Sequence, residues 1–277
     1  MKGIHHHFSR IAHKYRVLRI TDLEPVLFIK KELQKLPKIE AADVGCGDGG
    51  YDAKLFQLLG DRLYLHCIDD NLKMLKQLEG YMAQRGIKNF KVREAPAKDL
   101  PIEDDSLDCI FTFNAIHHFK LLGFLKEASR VLKNNGYLFI YTRLRSQNSR
   151  NIWGKYFPLF NQKETRLYEL NELKEILRKI SKLKIQSVEY FKYKRVSNLD
   201  WLVKQAQNHH FSTFNLYTEK EFAQSLDKFK QNLQLHFRDL KNIKWFDENI
   251  LLVKENRRDG KEKDETRRAA GRRALGS

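Results

Sequence analysis

Apolar residues in this chain fall into short runs separated by amphipathic stretches, and the two alternate. "IEAADVG" (39–45), "RLYLHCID" (62–69), "NFKVREA" (89–95), "SLDCIFTFNAI" (106–116) and "GYLFIYTRL" (136–144) each read as a strand. Between them lie helical patterns at Tyr51–Leu59, at "LKMLKQLEGYMAQRG" with Gly86 as its stop, and at "FLKEASRVLK" closed at Asn135-Gly136. Strands alternating with helices predict a parallel sheet covered by helices on both faces. Residues 1–38 read as helical, with Ile11, Tyr15, Leu18, Leu23, Leu27 and Leu33 as the apolar positions. After Leu144 the rhythm breaks. An irregular, basic and aromatic connection (144–165) precedes a helix at Glu169–Ile180 and a strand, "KIQSVEYFKY". Residues 196–247 then hold two helical patterns before a last strand, "NILLVKE". From Asn256 the chain is charged and nearly free of large apolar residues, so 256–277 is expected to be a disordered basic tail, native or added.

The composition narrows this picture. The chain has 277 residues, with 52 Lys+Arg against 35 Asp+Glu and a formal charge of +17. One reading of that charge is a nucleic-acid partner. The favoured one is a lysine-rich solvated surface, since no run alternates Arg with aromatics in an RNA-binding pattern. Cys46, Cys67 and Cys109 sit in apolar segments without C-x-x-C spacing, which points to reduced thiols. No apolar run reaches the roughly 18 residues that span a bilayer, and "MKGIHHHFSR" has no signal-peptide core. These features lead us to expect a soluble, cytoplasmic protein.

Chemistry enters at "AADVGCGDGGYDAKL" (41–55). Gly45, Gly47 and Gly50 fit a dinucleotide-binding loop, whereas Gly45, Gly47 and Gly49, led by Asp43, fit a loop that binds S-adenosylmethionine (SAM). Asp69 ends the second strand, where a carboxylate can accept from two ribose hydroxyls, and it suits both ligands. Asp43 discriminates. A carboxylate beside the loop would repel the two phosphates of a dinucleotide, which gain from a helix N-terminus. SAM brings an ammonium instead, which such an acid can pair with directly or through water.

Other candidates follow from position. His117 and His118, after the fourth strand, are candidate proton acceptors or shapers of a methyl pocket; the alternative is simple packing at a helix start. Trp153, Tyr156, Phe157 and Phe160 form an aromatic group suited to walling an acceptor pocket. Arg143, Arg145 and Arg150 would pair with an acidic acceptor or stay solvated. His5, His6 and His7 cannot all point one way and have no acidic or Cys partners nearby, so no metal site is expected. Of His209 and His210, one would face substrate if the late insertion folds over the site.

Taken together, the ordered motifs resemble those of the class I SAM-dependent methyltransferases, in particular the small-molecule and quinone-biosynthesis subgroup. "DVGCGDG" resembles the family's first motif, and "IDDNLKML" its V-D-x-S-x-x-M-L. "AKDLPIEDDSLDCIFTFNAIHHF" resembles its L-P-F segment and fourth strand, and "EASRVLKNNGYLFI" the passage into the fifth. "HHFSRIAHKYRVLR" looks like the F-x-x-x-A-x-x-Y helix that covers the donor. The resemblance spans roughly residues 8–143.

The resemblance implies a Rossmann-like doubly wound α/β sheet of seven strands in the order 3-2-1-4-5-7-6, the last antiparallel. It implies a helical lid (1–38), a methyltransferase domain (39–255) and cap insertions at about 144–165 and 196–247. It assigns SAM, or its product S-adenosylhomocysteine, to Asp43, Gly45, Cys46, Gly47, Asp48, Gly49, Asp69, Asp70, Met74, Pro96, Ala97, Asn114, Ala115 and Tyr15. Trp153, Phe157, Tyr217 and Arg143 are then the candidate walls of a small-molecule acceptor pocket, and His117 and His118 the candidate catalytic groups. One departure stands out. Pro96 replaces the acid that such enzymes place against adenine, leaving Glu94 or Asp99 as substitutes. An RNA methyltransferase is the leading alternative, and a non-catalytic SAM-binding protein the second.

Overall fold

The computed structural model describes the backbone of residues 2–257 and the side chains of residues 7–257. β1 (Ile39–Val44) sends Ile39 and Ala41 into one apolar cluster and Ala42 and Val44 into another. A strand buried on both faces belongs in the middle of a covered sheet. β1 pairs in parallel with β2 (Leu63–Asp69) on one side and β4 (Leu107–Phe113) on the other. β3 (Phe90–Glu94) extends the sheet beyond β2, and β5 (Leu132–Thr142) beyond β4. β6 (Leu183–Ser197) and β7 (Ile243–Asn256) complete it, with β7 antiparallel between β5 and β6. The resulting order, 3-2-1-4-5-7-6, is the one expected.

Helices Glu24–Glu32, Gly50–Leu59 and Leu72–Gln84 cover one face, burying Val26, Ile29, Leu55, Phe56, Leu75 and Leu78. Leu121–Val131 and Leu170–Arg178 cover the other through Phe124, Leu125, Ala128, Leu173 and Leu177. A third apolar cluster lies beyond these two layers and meets the sheet only at the start of β7, through Ile243 and Trp245. It joins Ile152–Tyr156 to helices Leu199–Gln207 and Glu219–His236, with Trp153, Phe157, Phe214 and Phe229 inside.

Several expectations are corrected. In the N-terminal segment Leu23 and Leu27 are exposed, while Val26, Ile29 and Leu33 are fully buried, so the inward stripe of this helix runs through 26, 29 and 33. Asn135-Gly136 does not close a helix. The helix ends at Val131, and the chain bulges within β5, where Leu107 and Cys109 pair with Leu132 and Tyr137. β6 and β7 run on past their predicted ends as a two-stranded ribbon, from Ser197 opposite Ile243 inward. The late insertion is therefore 198–242 rather than 196–247. The ribbon's alternation is blurred because neither of its faces is fully covered. Asn256, placed in the tail by composition, is the buried last residue of β7. Residues 258–277 lie outside the described residues.

Candidate active site

The glycine loop leaves β1 and is fixed by the Gly45 N–H, which donates to the Ile68 carbonyl at 2.8 Å. Gly45 has φ +77°, and a Cβ there would meet Ala115 Cβ at 2.6 Å and Phe119 Cζ at 2.9 Å. Only glycine lets the loop lie against the end of β4. Asp69, at the end of β2, accepts from the Gly47 N–H and the Asn71 N–H, both at 2.9 Å. The carboxylate thus shapes the loop as well as facing the space above it.

That space is a cavity of about 250 Å³ at the C-terminal ends of β1, β2 and β4. Its walls include Gly45, Gly47, Asp69, Asp70, Met74, Pro96, Ala97, Asn114, Ala115 and Tyr15. Four residues assigned to the donor do not reach it. Cys46 is buried in the core beneath the loop. Gly49 turns into the helix Gly50–Leu59 with φ +82°, and its absent Cβ makes room for Leu78. Asp48 turns toward the N-terminal segment, where Arg16 donates to its carbonyl at 2.6 Å and pairs with its carboxylate at 3.5 Å.

Asp43 is the fourth. It is buried under the loop beside Asp52, and its Oδ1 has no hydrogen-bond partner. Burial and the neighbouring Asp52 raise its pKa well above the usual carboxylate range. Burial likewise raises Asp52, to about 6. Both carboxyls therefore hold a proton more readily than a free carboxylate does. Direct contact between Asp43 and a ligand ammonium is not what this geometry provides. Glu94 and Asp99 are exposed and off the cavity, so neither replaces the acid absent at Pro96.

A second cavity, about 190 Å³, adjoins the first, and Phe8, Tyr15, Asn114 and His118 wall both. Asn114 holds a left-handed backbone (φ +54°) at the end of β4. Its N–H donates to the Tyr141 carbonyl at 2.7 Å, and its Oδ1 accepts from Asn249 at 3.2 Å. Strain of that kind persists only where the surroundings fix it, and it gathers at functional positions. His117 and His118 face the second cavity with parts of their rings while protein encloses the rest. Burial, with Arg166 and Arg19 nearby, lowers His117 to about 3. Burial and the adjacent His117 press His118 well below its ordinary value. Both are neutral, and so weak bases, at pH 7.

Arg143 and Trp153 line the second cavity, and His210 joins them. Phe157 and Tyr217 do not. Phe157 is 2% exposed inside the aromatic cluster, and the Tyr217 hydroxyl donates to the Pro158 carbonyl at 2.7 Å. Arg145 pairs with Glu172 and Arg150 with Glu248, so both serve structure. Their aromatic or basic character carried no sign of direction, since a cap has an inner core of its own. Asp22, Arg195 and Asp247 belong to no motif that would mark them in the sequence. Arg195 bonds Asp22 at 2.6 Å and Asp247 at 3.1 Å, fastening the N-terminal segment to the β6–β7 ribbon. Gln205 donates to the Leu18 carbonyl at 2.8 Å and ties the same segment to the late insertion. Among the described residues no cluster of His, Cys, Asp and Glu could hold a metal ion, and no helix is long and apolar enough to cross a membrane.

Residues 42–140 match the family model of a methyltransferase domain. The chain is similar to the uncharacterized methyltransferase YcgJ of Bacillus subtilis, 28% identical over 47% of this chain and 51% of that protein. The crystal structure of YcgJ superimposes with a TM-score of 0.62 at 17% identity, covering 85% of this chain and 99% of the other. The demethylmenaquinone methyltransferase of Geobacillus stearothermophilus is 27% identical over 48% of this chain and 59% of its own. A geranyl diphosphate methyltransferase in complex with SAM shares the fold, with a TM-score of 0.53 at 13% identity over 84% of this chain and 85% of that one. The chain spans about half the length of the curated relatives it matches.

Proposed function

Because residues 42–140 match the family model of a methyltransferase domain and the sheet has the order 3-2-1-4-5-7-6, we propose that this chain transfers a methyl group from SAM to a small-molecule acceptor. The observation that carries the reading is the pair of adjoining cavities. One has a glycine loop and Asp69, the other is capped by aromatic residues, and they share the walls formed by Phe8, Tyr15, Asn114 and His118.

The first cavity fits the donor in its own terms. Asp69 offers a carboxylate at the end of β2 for the ribose hydroxyls, the glycines leave room beside Met74, and Ala95–Lys98 form a largely apolar wall for adenine. Bound there, SAM supplies a methyl group already activated by its sulfonium. What remains for the protein is to position two reactants and exclude water. Tyr15 and Phe8 close the donor space from the N-terminal segment, and Trp153, Phe160 and Phe211 make the acceptor walls. The neutral rings of His117 and His118 border the second cavity and shape the acceptor space. In this reading residues 2–33 act as the lid, and 145–163 together with 198–242 as the cap.

Calorimetric titration with SAM, S-adenosylhomocysteine and NAD tests the donor half: the two sulfur compounds should bind and NAD should not. Release of S-adenosylhomocysteine in the presence of fractionated small molecules tests the rest. NAD binding without response to either sulfur compound would overturn the assignment. Transfer to tRNA alone would overturn the acceptor class.

A further inference from the structure

The second cavity is not electrically balanced. Four guanidiniums stand in or against its wall (Arg19, Arg143, Arg166 and Arg195) with three carboxylates (Asp22, Glu164 and Asp247), a surplus of one positive charge among the described residues. Three of the cations have acidic partners. Arg195 bridges Asp22 and Asp247, Arg143 reaches Asp247 at 3.5 Å, and Arg166 is bonded to Glu164. Arg19 has none. Its contacts are the His210 carbonyl at 3.5 Å and the faces of Phe211 and Tyr15, at 4.6 and 5.7 Å from the ring centroids. The histidines beside it, His117, His118 and His210, are neutral at pH 7 and cannot supply the missing negative charge. The Arg143 Nε is buried without a partner, a second donor short of an acceptor.

A half-buried guanidinium on the cavity wall, near the rings of Phe211 and Tyr15, is suited to a planar anion. A single net charge matches a carboxylate and falls short of a phosphate monoester. We propose, on the reading of the chain as a methyltransferase, that the second cavity takes an acceptor with a carboxylate on an apolar body, and that Arg19 selects it. The carboxylate lies against the guanidinium, and the apolar body packs on Trp153, Phe160 and Phe211. Arg19 is a specificity-determining residue in this account, with no part in moving a proton.

The cavity carries its own reporter, since all three tryptophans of the chain, Trp153, Trp201 and Trp245, line it. The full chain is saturated with S-adenosylhomocysteine and its fluorescence titrated with benzoate, phenylacetate and octanoate, each beside its primary amide, and with phenyl phosphate. At least one carboxylate should bind tenfold or more tightly than its amide and than phenyl phosphate. Arg19→Gln should abolish that preference, and Arg19→Lys should restore part of it. The inference is overturned if no carboxylate outbinds its amide, if phenyl phosphate binds best, or if the preference survives Arg19→Gln. Melting curves and product affinity of both variants come first; should Arg19→Gln not fold, the carboxylate–amide contrast in the unaltered chain and Arg19→Lys decide the matter. Failure of S-adenosylhomocysteine to bind the unaltered chain would count against the methyltransferase reading instead.

Discussion

Replacing Asp69 should weaken the fold and the donor site together, by separable amounts. Its carboxylate accepts two backbone N–H bonds, from Gly47 and Asn71, each 2.9 Å long. Hydrogen bonds to a charged group contribute about 1.5–3 kcal/mol each, and the partial exposure of Asp69 places these at or below the lower end. Asp69→Ala should therefore cost about 2–3 kcal/mol of stability. For a chain of this size that lowers Tm by roughly 4–6 °C. Removing the acceptor of the ribose hydroxyls should also weaken SAM binding by about 10–100-fold. Asp69→Asn keeps one accepting oxygen and should lose about half of each. Scanning calorimetry reads the first effect and isothermal titration the second. A melting point within a degree of the parent would show that the loop holds its shape unaided. An unchanged affinity in a folded variant would transfer the ribose to Asp70, on the same wall.

Truncation at the C-terminus should show a sharp boundary. Ending the chain at Arg257 should leave Tm and SAM affinity unchanged, while ending it at Glu255 removes Asn256, whose Nδ2 donates to the Leu132 carbonyl at 2.8 Å, and should cost about 1–3 kcal/mol in urea unfolding. His117 is held neutral with its pKa lowered to about 3; its stabilising contribution is complete above pH 6.5 and is lost as pH falls toward 3. His117→Gln should flatten the acid limb of stability against pH by about 1.4 kcal/mol per unit between pH 4 and 6, and an unaltered limb would mean His117 does not resist protonation. Tyr217→Phe should cost about 1 kcal/mol through the lost bond to Pro158 while leaving acceptor KM unchanged, because the ring lies outside the cavity; a raised KM would put Tyr217 back on the wall. Trp153→Ala should destabilise by about 3–5 kcal/mol, since the indole stacks on Phe229 inside the cap, and denaturant melts measure it.

The sheet was legible because its central strands are buried on both faces and its loop needs glycine at particular places. Asp69 was legible too, since a carboxylate ending the second strand has few structural excuses. Long-range pairing was not. Asp43 with Asp52, Arg16 with Asp48, and Asp22 with Arg195 are each joined only by the fold, and no local pattern announces them. The same holds within the cap. Trp153 and Phe157 lie four residues apart in one aromatic run, yet one reaches the cavity and the other is sealed behind it. Periodicity says that a residue is buried; it does not say against which of two interiors.

The ribbon of β6 and β7 has a consequence for how such a chain can change over generations. The excursion 198–242 leaves and rejoins at a hydrogen-bonded pair of strands, with Ser197 opposite Ile243. Its two ends are already held together by the sheet, so lengthening or exchanging what hangs between them adds little closure entropy. The strands that carry the glycine loop and Asp69 lie on the far side of β4 and do not register the change. On the proposed reading, mutation can thus rewrite the walls of the second cavity while the glycine loop and Asp69 stay in place, and a new preference can arise at the tip of a ribbon without refounding the fold.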